Sequence, residues 1–105
     1  MAYNPKVKFE WDESKNIANQ KKHGVSFEEA SAVFTTDDYL EIFDDEHSET
    51  EDRFIAIGLV SRGLIVVVWA LSDDETARVI SARLATSNEE GLYEAYMGKR
   101  NDQHS

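Results

Sequence analysis

Polar and apolar positions change period several times along this chain, and each change marks an element. Residues 6–10, "KVKFE", alternate as a short strand does. Asp12 follows Trp11 and suits the N-cap of a helix running to about His23. Apolar positions on that helix are sparse, Ile17 and Ala18, while Lys15, Asn19 and Lys22 are spaced to form one polar stripe. Gly24 then stands where a glycine closes a helix in the left-handed conformation. Lys21, Lys22 and His23 fill the last turn, where cations meet the negative end of the helix dipole. Ser26 and Glu29 have capping-box spacing, with Val25 and Ala30 placed as a hydrophobic staple. The stretch "KKHGVSFEEA" thus reads as a sharp corner between two helices, the second facing the core with Phe27, Ala30 and Phe34.

From Tyr39 the period shortens to that of strands. "YLEIF" is one strand, followed by an acidic stretch to Asp52, and "RFIAIGLV" (53–60) is the next. "SRG" forms a hairpin turn with Gly63 available for positive φ. "LIVVVWAL" (64–71) is apolar on both faces and therefore belongs in the middle of the sheet. "SDD" turns again, and "ETARVISARL" (75–84) is the last strand. Thr86 and Glu89 make a second capping box, opening a helix with Leu92, Tyr93 and Tyr96 on its apolar side and weakened by Gly91. The expected fold is α+β in one domain, residues 1–97: two N-terminal helices, an antiparallel β-sheet meander and a C-terminal helix. A disordered tail is expected over 98–105.

Composition narrows the chemistry. With no cysteine there is no disulfide, thiol nucleophile or cysteine-ligated metal. The start "MAYNPKVKFEW" has no apolar run of signal-peptide length, which predicts a cytoplasmic protein. The longest apolar run, Gly63 to Leu71, is too short to span a bilayer. Net charge is −10, but nine acids and no lysine or arginine lie between Asp37 and Asp52, and the remainder carries 12 acids against 11 bases, a net of −1. The acidity is a local block: either a solvated loop, or a docking surface for a basic partner or a decoy for a nucleic-acid site.

His23, His47 and His104 share no metal-ligand spacing, "DDEH" at 44–47 lacks the EF-hand pattern, and no dinucleotide fingerprint, P-loop or nucleophile elbow occurs. The expectation is no metal and no cofactor. What remains is cations on ordered elements. Arg53 begins a strand, and Arg78 and Arg83 lie on the last one. Strict alternation puts Val79, Ser81 and Arg83 on one face and Arg78 on the other, unless a bulge or strand end brings both arginines together. They either pair with acids such as Glu41, Asp52 or Glu89, or bind phosphate, whose oxygens match the guanidinium fork.

Three blocks, "FEWDESKNIANQKKHGVSFEEASAVF", "EDRFIAIGLVSRGLIVVVWA" and "ARVISARLATSNEEGLYE", resemble the BrnT toxins of bacterial type II toxin–antitoxin pairs, over about residues 9–94. The resemblance implies a compact RelE-like fold and a metal-independent endoribonuclease that inhibits translation. It also implies a BrnA-like antitoxin that wraps the toxin and through which alone the complex meets operator DNA. The family's lysine–histidine–glycine junction falls on Lys22, His23 and Gly24, its strand arginine on Arg53, its "SAR" motif on Arg78, Ser81 and Arg83, and its helix glutamate on Glu89. In metal-free RNA cleavage, His23 suits acid–base work or substrate positioning, Arg78 and Arg83 suit the charge on the phosphate, and Lys15 and Lys22 suit the RNA backbone. His23 equally suits a helix end. Where family members often carry an arginine-rich stretch, this chain reads Ser87-Asn88-Glu89-Glu90-Gly91. That departure opens a second reading, a non-catalytic module that retains antitoxin binding.

Overall fold

The computed structural model describes residues 8–47, 51–71 and 76–104. The elements in chain order are β1 (Lys8–Glu10), α1 (Glu13–His23), α2 (Phe27–Ser31), a 3-10 turn (Ala32–Thr35), β2 (Tyr39–Phe43), a second 3-10 turn (Asp45–His47), β3 (Asp52–Val60), β4 (Gly63–Leu71), β5 (Thr76–Leu84) and α3 (Ser87–His104). The expected "SDD" turn, and Lys6 and Val7 of the first strand, lie outside the described residues.

Five strands form one sheet in the order β1-β5-β4-β3-β2. β4 is central, as its double-sided apolar run requires, and β3–β4–β5 pair antiparallel throughout. The expected purely antiparallel meander is corrected at one edge, because β1 pairs with β5 in parallel, Phe9 opposite Ala77. Parallel pairing needs a long crossover. Here nearly the whole domain lies between the two strands and supplies it.

One face of the sheet carries α2 and the first 3-10 turn, while α1 stands against the outer edge of β5. Val25, Phe27, Ala30, Val33 and Phe34 pack there on Ala56, Ile65, Val67, Trp69, Ala77, Val79 and Ala82. Phe34 is the hub of an aromatic cluster, with ring centroids 4.7 Å from Phe9, 5.2 Å from Tyr39 and 5.6 Å from Trp69. The first 3-10 turn packs closely on β3 at Gly58. A Cβ on Gly58 would lie 2.6 Å from Val33 Cγ1 and 3.0 Å from Tyr39 Cβ. Gly58→Ala is therefore expected to cost about 2 kcal/mol, read as a lower urea midpoint with an unchanged slope.

The corner between α1 and α2 forms much as the sequence dictates. Gly24 has φ 73° and its N–H donates to the Gln20 carbonyl at 2.8 Å. Ser26 Oγ accepts from Glu29 N–H at 3.0 Å. The box is half closed, however, because the Glu29 carboxylate turns away to Arg62 at the tip of the β3–β4 hairpin. Arg62 donates from Nε at 2.7 Å and Nη2 at 2.8 Å to Glu29, and also to the Gly24 carbonyl. A distant side chain thus clamps the corner, which local capping rules could not reveal.

The buried side of α1 differs from expectation. Asn16 and Asn19 are buried, at 0% and 8% exposure, while Ile17 is 48% exposed. Polar side chains take the inner face because their amides satisfy backbone groups there. Asn16 Oδ1 accepts from Phe27 N–H at 2.8 Å, and its Nδ2 donates to Glu13 and Glu28. Asn19 belongs to this face rather than to a solvated stripe with Lys15 and Lys22. Its Nδ2 donates to the carbonyls of Val25 and Ala82 at 2.8 Å each, and its Oδ1 accepts from Ala82 N–H at 3.2 Å. β1 covers the outer edge of β5 only as far as Arg78. The Asn19 amide serves as the missing strand partner beyond it.

At the other end, α3 continues through Gly98 to His104, over residues where the sequence suggests a disordered tail. A single helical glycine costs only about 1 kcal/mol, and the tyrosine, methionine, lysine and arginine beside it all tolerate a helix. Among the described residues, no helix is long and apolar enough to cross a membrane.

Candidate active site

The second face of the sheet holds the candidate chemistry. Pairing is regular from Ile65↔Leu84 to Val68↔Ser81, then slips, so that Trp69 faces Val79 and Ile80 has no partner on β4. This is a β-bulge, and it reverses the alternation of β5 on one side of Ile80. Arg83 stands opposite Val66, Ser81 opposite Val68 and Arg78 opposite Ala70, all three on the face away from Ile65, Val67 and Trp69. Strict alternation had separated Arg78 from Arg83, and the bulge corrects that. Arg53, across β4, also pairs with Ala70 and joins the same face. Four of the residues singled out from the sequence therefore share one surface, although they come from two strands.

The two β5 arginines are already engaged. Arg83 binds Glu89 through both nitrogens, Nη1–Oε1 2.7 Å and Nη2–Oε2 2.6 Å. Glu89 also closes the second capping box: its Oε1 accepts from Thr86 N–H at 2.9 Å while Thr86 Oγ1 accepts from Glu89 N–H at 3.2 Å. Arg78 pairs with Glu51. Of Glu41, Asp52 and Glu89, the acids suggested from sequence for these arginines, Glu89 is found on Arg83, while Arg78 takes Glu51 instead.

Charge follows this geometry. Hydrogen bonding from Arg83, helped by the Thr86 N–H, holds the Glu89 carboxyl down to about 2 against an outward push from partial burial. The same contact raises Arg83 above the ordinary arginine value. A carboxylate whose folded pKa is depressed stabilises the fold above its unfolded value near 4.5, and that stability is lost as pH falls toward 2. The arginine is 39% exposed. Solvent screening therefore reduces the pair to about 1 kcal/mol. Glu89→Gln should remove about that much of the stability lost between pH 4.5 and pH 2, measured by urea unfolding across that range. An identical pH profile in the variant would show that other carboxylates carry the acid sensitivity.

The remaining candidates lie on α1. Lys15 and Lys22 are exposed, and His23 is half-buried at the last helical residue. His23 is one turn beyond Asn19, whose amide holds Ala82, the residue before Arg83. The helix end and the "SAR" segment are therefore tied together across the edge of β5. Sequence reasoning missed Asn16, Asn19 and Arg62. An asparagine pair three residues apart, on a helix short of apolar residues, was the only local sign of the first two. Among the described residues no group of three His, Asp or Glu is arranged to hold a metal ion.

α3 crosses this second face after leaving β5. It contacts β2 and β3, and the Tyr93 hydroxyl donates to the Asp38 carbonyl at 3.3 Å. Ile57 and Val66, paired on this face, are each only 1% exposed. The arginines thus sit beside a helix-covered floor rather than on an open sheet.

The model of the family described as "Ribonuclease toxin, BrnT, of type II toxin-antitoxin system" matches residues 11–89. The crystal structure of the Brucella abortus ribonuclease toxin BrnT superposes with a TM-score of 0.60 at 28% identity, covering 77% of this chain and 99% of that one. No protein in the curated comparison matches. The family match takes in α1, the corner and the "SAR" strand, while most of α3 lies beyond it.

Proposed function

The chain belongs to the BrnT family of ribonuclease toxins of type II toxin–antitoxin systems, and we propose that it is a metal-independent endoribonuclease of RelE-like type whose site is the arginine face of β5. The observation that carries this reading is the bulge at Ile80, which brings Arg78 onto the surface that Arg53, Ser81 and Arg83 share. In the proposed reaction the 2′-hydroxyl oxygen attacks the adjacent phosphorus and the bond to the 5′-oxygen breaks. The leaving 5′-oxygen takes up a proton from water, so the products are a 2′,3′-cyclic phosphate and a 5′-hydroxyl. His23 accepts the 2′-hydroxyl proton, and Arg78 and Arg83 stabilise the charge on the pentacoordinate phosphate. Arg53 and Ser81 hold flanking phosphates, and Lys15 and Lys22 track the RNA backbone. Cleavage of cellular RNA in the cytoplasm would inhibit translation. A BrnA-like antitoxin would neutralise the protein by covering His23 and Arg83, and operator DNA would be met only through that antitoxin.

The ion pairs do not prevent this chemistry. A partly exposed Arg–Glu pair is worth about 1 kcal/mol at most, less than one charge-assisted phosphate contact. Glu89 instead keeps the Arg83 fork oriented until phosphate displaces it. The same pairs nevertheless favour a second reading, because Arg78 and Arg83 are both engaged by carboxylates in the free protein. On that reading the chain binds its antitoxin without cutting RNA.

Incubating purified protein with RNA in excess EDTA decides between them. New 2′,3′-cyclic phosphate ends that disappear when antitoxin is added support the ribonuclease. Intact RNA, together with harmless induced expression in cells, supports the binding module. RNA affinity should also fall with salt. Four contacts, from Lys15, Lys22, Arg78 and Arg83, give a slope of roughly −3 in log affinity against log salt. A slope near zero would remove these four cations from the interface.

A further inference from the structure

The arginine face does not use the opposite edge of the sheet. β2 is the last strand in the order, with no neighbour on its outer side among the described residues. Its inner side is fixed by register. Asp44 N–H donates to the Arg53 carbonyl at 2.8 Å. Antiparallel hydrogen-bonded pairs alternate, so Ile42 and Leu40 also direct their backbone groups to β3. Tyr39, Glu41 and Phe43 therefore turn their N–H and C=O groups outward, away from the sheet. These three residues, two apart, offer the ladder that an added strand requires. The side chains beside the ladder are unusually apolar for an edge, with Ile42 37% and Phe43 47% exposed, and they stand on opposite faces.

Charge selects the occupant. The strand and its flanks lie within the block from Asp37 to Asp52, which has nine acids and no lysine or arginine. A second copy of this chain would set one acidic block against another, and RNA would bring phosphates to carboxylates. Like charges facing each other across strands are destabilising. We propose that β2 is the docking edge for an extended, lysine- or arginine-rich segment of the protein partner, which adds to the sheet as a further strand. Ile42 and Phe43 would grip that segment from the two faces, and the acids would speed its approach. The proposed function enters only in naming the partner as the antitoxin. The edge geometry stands without it.

The test uses the full-length protein and a ten-residue peptide alternating lysine and valine, with a glutamate–valine peptide as comparison. Amide hydrogen exchange is followed by NMR. The lysine peptide should slow exchange at Glu41 and Phe43, leave Leu40 and Ile42 little changed, and bind more weakly as salt rises. Glu41→Pro removes one outward N–H while sparing the bonds to β3, and should weaken binding roughly tenfold, the equivalent of one hydrogen bond. Glu41→Lys, which keeps the N–H, should weaken it severalfold through charge alone. The proposal is overturned if millimolar lysine peptide leaves Glu41 and Phe43 unprotected, or if the glutamate peptide protects them equally. It is also overturned if RNA, or concentrating the protein alone, protects those amides instead. RNA cleavage is measured separately on the same samples, so an inactive protein with a protected edge would count against the ribonuclease and not against the docking site.

Discussion

Arg83→Ala is expected to lower the rate of RNA cleavage about a hundredfold, the usual effect of removing one preorganised donor from a developing oxyanion. Arg83 is held in a two-pronged contact by Glu89, at 2.7 and 2.6 Å, so its fork is presented in the planar arrangement that two phosphate oxygens need. Arg83→Lys keeps the charge and loses the fork, and should fall between wild type and alanine. Stability should change little, because the pair is partly exposed and worth about 1 kcal/mol at most. That separates the catalytic loss from unfolding. The measurement is single-turnover cleavage of a defined RNA, with urea midpoints recorded for each variant. If Arg83→Ala cleaves as fast as wild type while its midpoint drops, Arg83 serves only to anchor α3 through Glu89.

Asn19→Ala is expected to be the most destabilising single change on α1, costing about 3 kcal/mol. Asn19 is 8% exposed and makes three hydrogen bonds to backbone groups. Truncation strands Ala82 N–H, Ala82 C=O and Val25 C=O near the core, and each unsatisfied buried group costs on the order of 1 kcal/mol or more. Asn19→Asp is the sharper variant. It retains the acceptor for Ala82 N–H but turns the donor that served two carbonyls into a charge, and so should be at least as damaging. Ile17→Ala provides the contrast. Ile17 is apolar but 48% exposed, and its loss should cost less than about 0.5 kcal/mol. Equal losses for Ile17→Ala and Asn19→Ala would show that α1 is held by apolar contact after all.

These two sites differ in how they could be read. Arg83 was visible because an arginine on a strand is a chemical signal in itself, and the family resemblance singles out the "SAR" motif that contains it. Asn19 was not, because an asparagine on a helix looks like part of a solvated stripe until its partner is known. That partner, Ala82, lies 63 residues away. Arg62 was hidden in the same way, 33 residues from Glu29.

The sequence alone determined whatever depends on neighbours along the chain. The left-handed glycine after His23, the serine cap at Ser26, the reciprocal box of Thr86 and Glu89, and the central position of "LIVVVWAL" all follow from local geometry and a period of two or three to four residues. Tertiary structure decided everything that depends on how strands and helices are set against each other. The slip at Ile80 places Arg78 and Arg83 on one face, and no local rule encodes it, since both strands read as regular and only their joint packing fixes where the register breaks. The parallel pairing of β1, and the asparagine amide that continues that edge past Arg78, have the same origin. Backbone groups left open at a sheet edge must be satisfied by whatever the fold brings near, and here it brings a residue that the linear pattern had assigned to solvent.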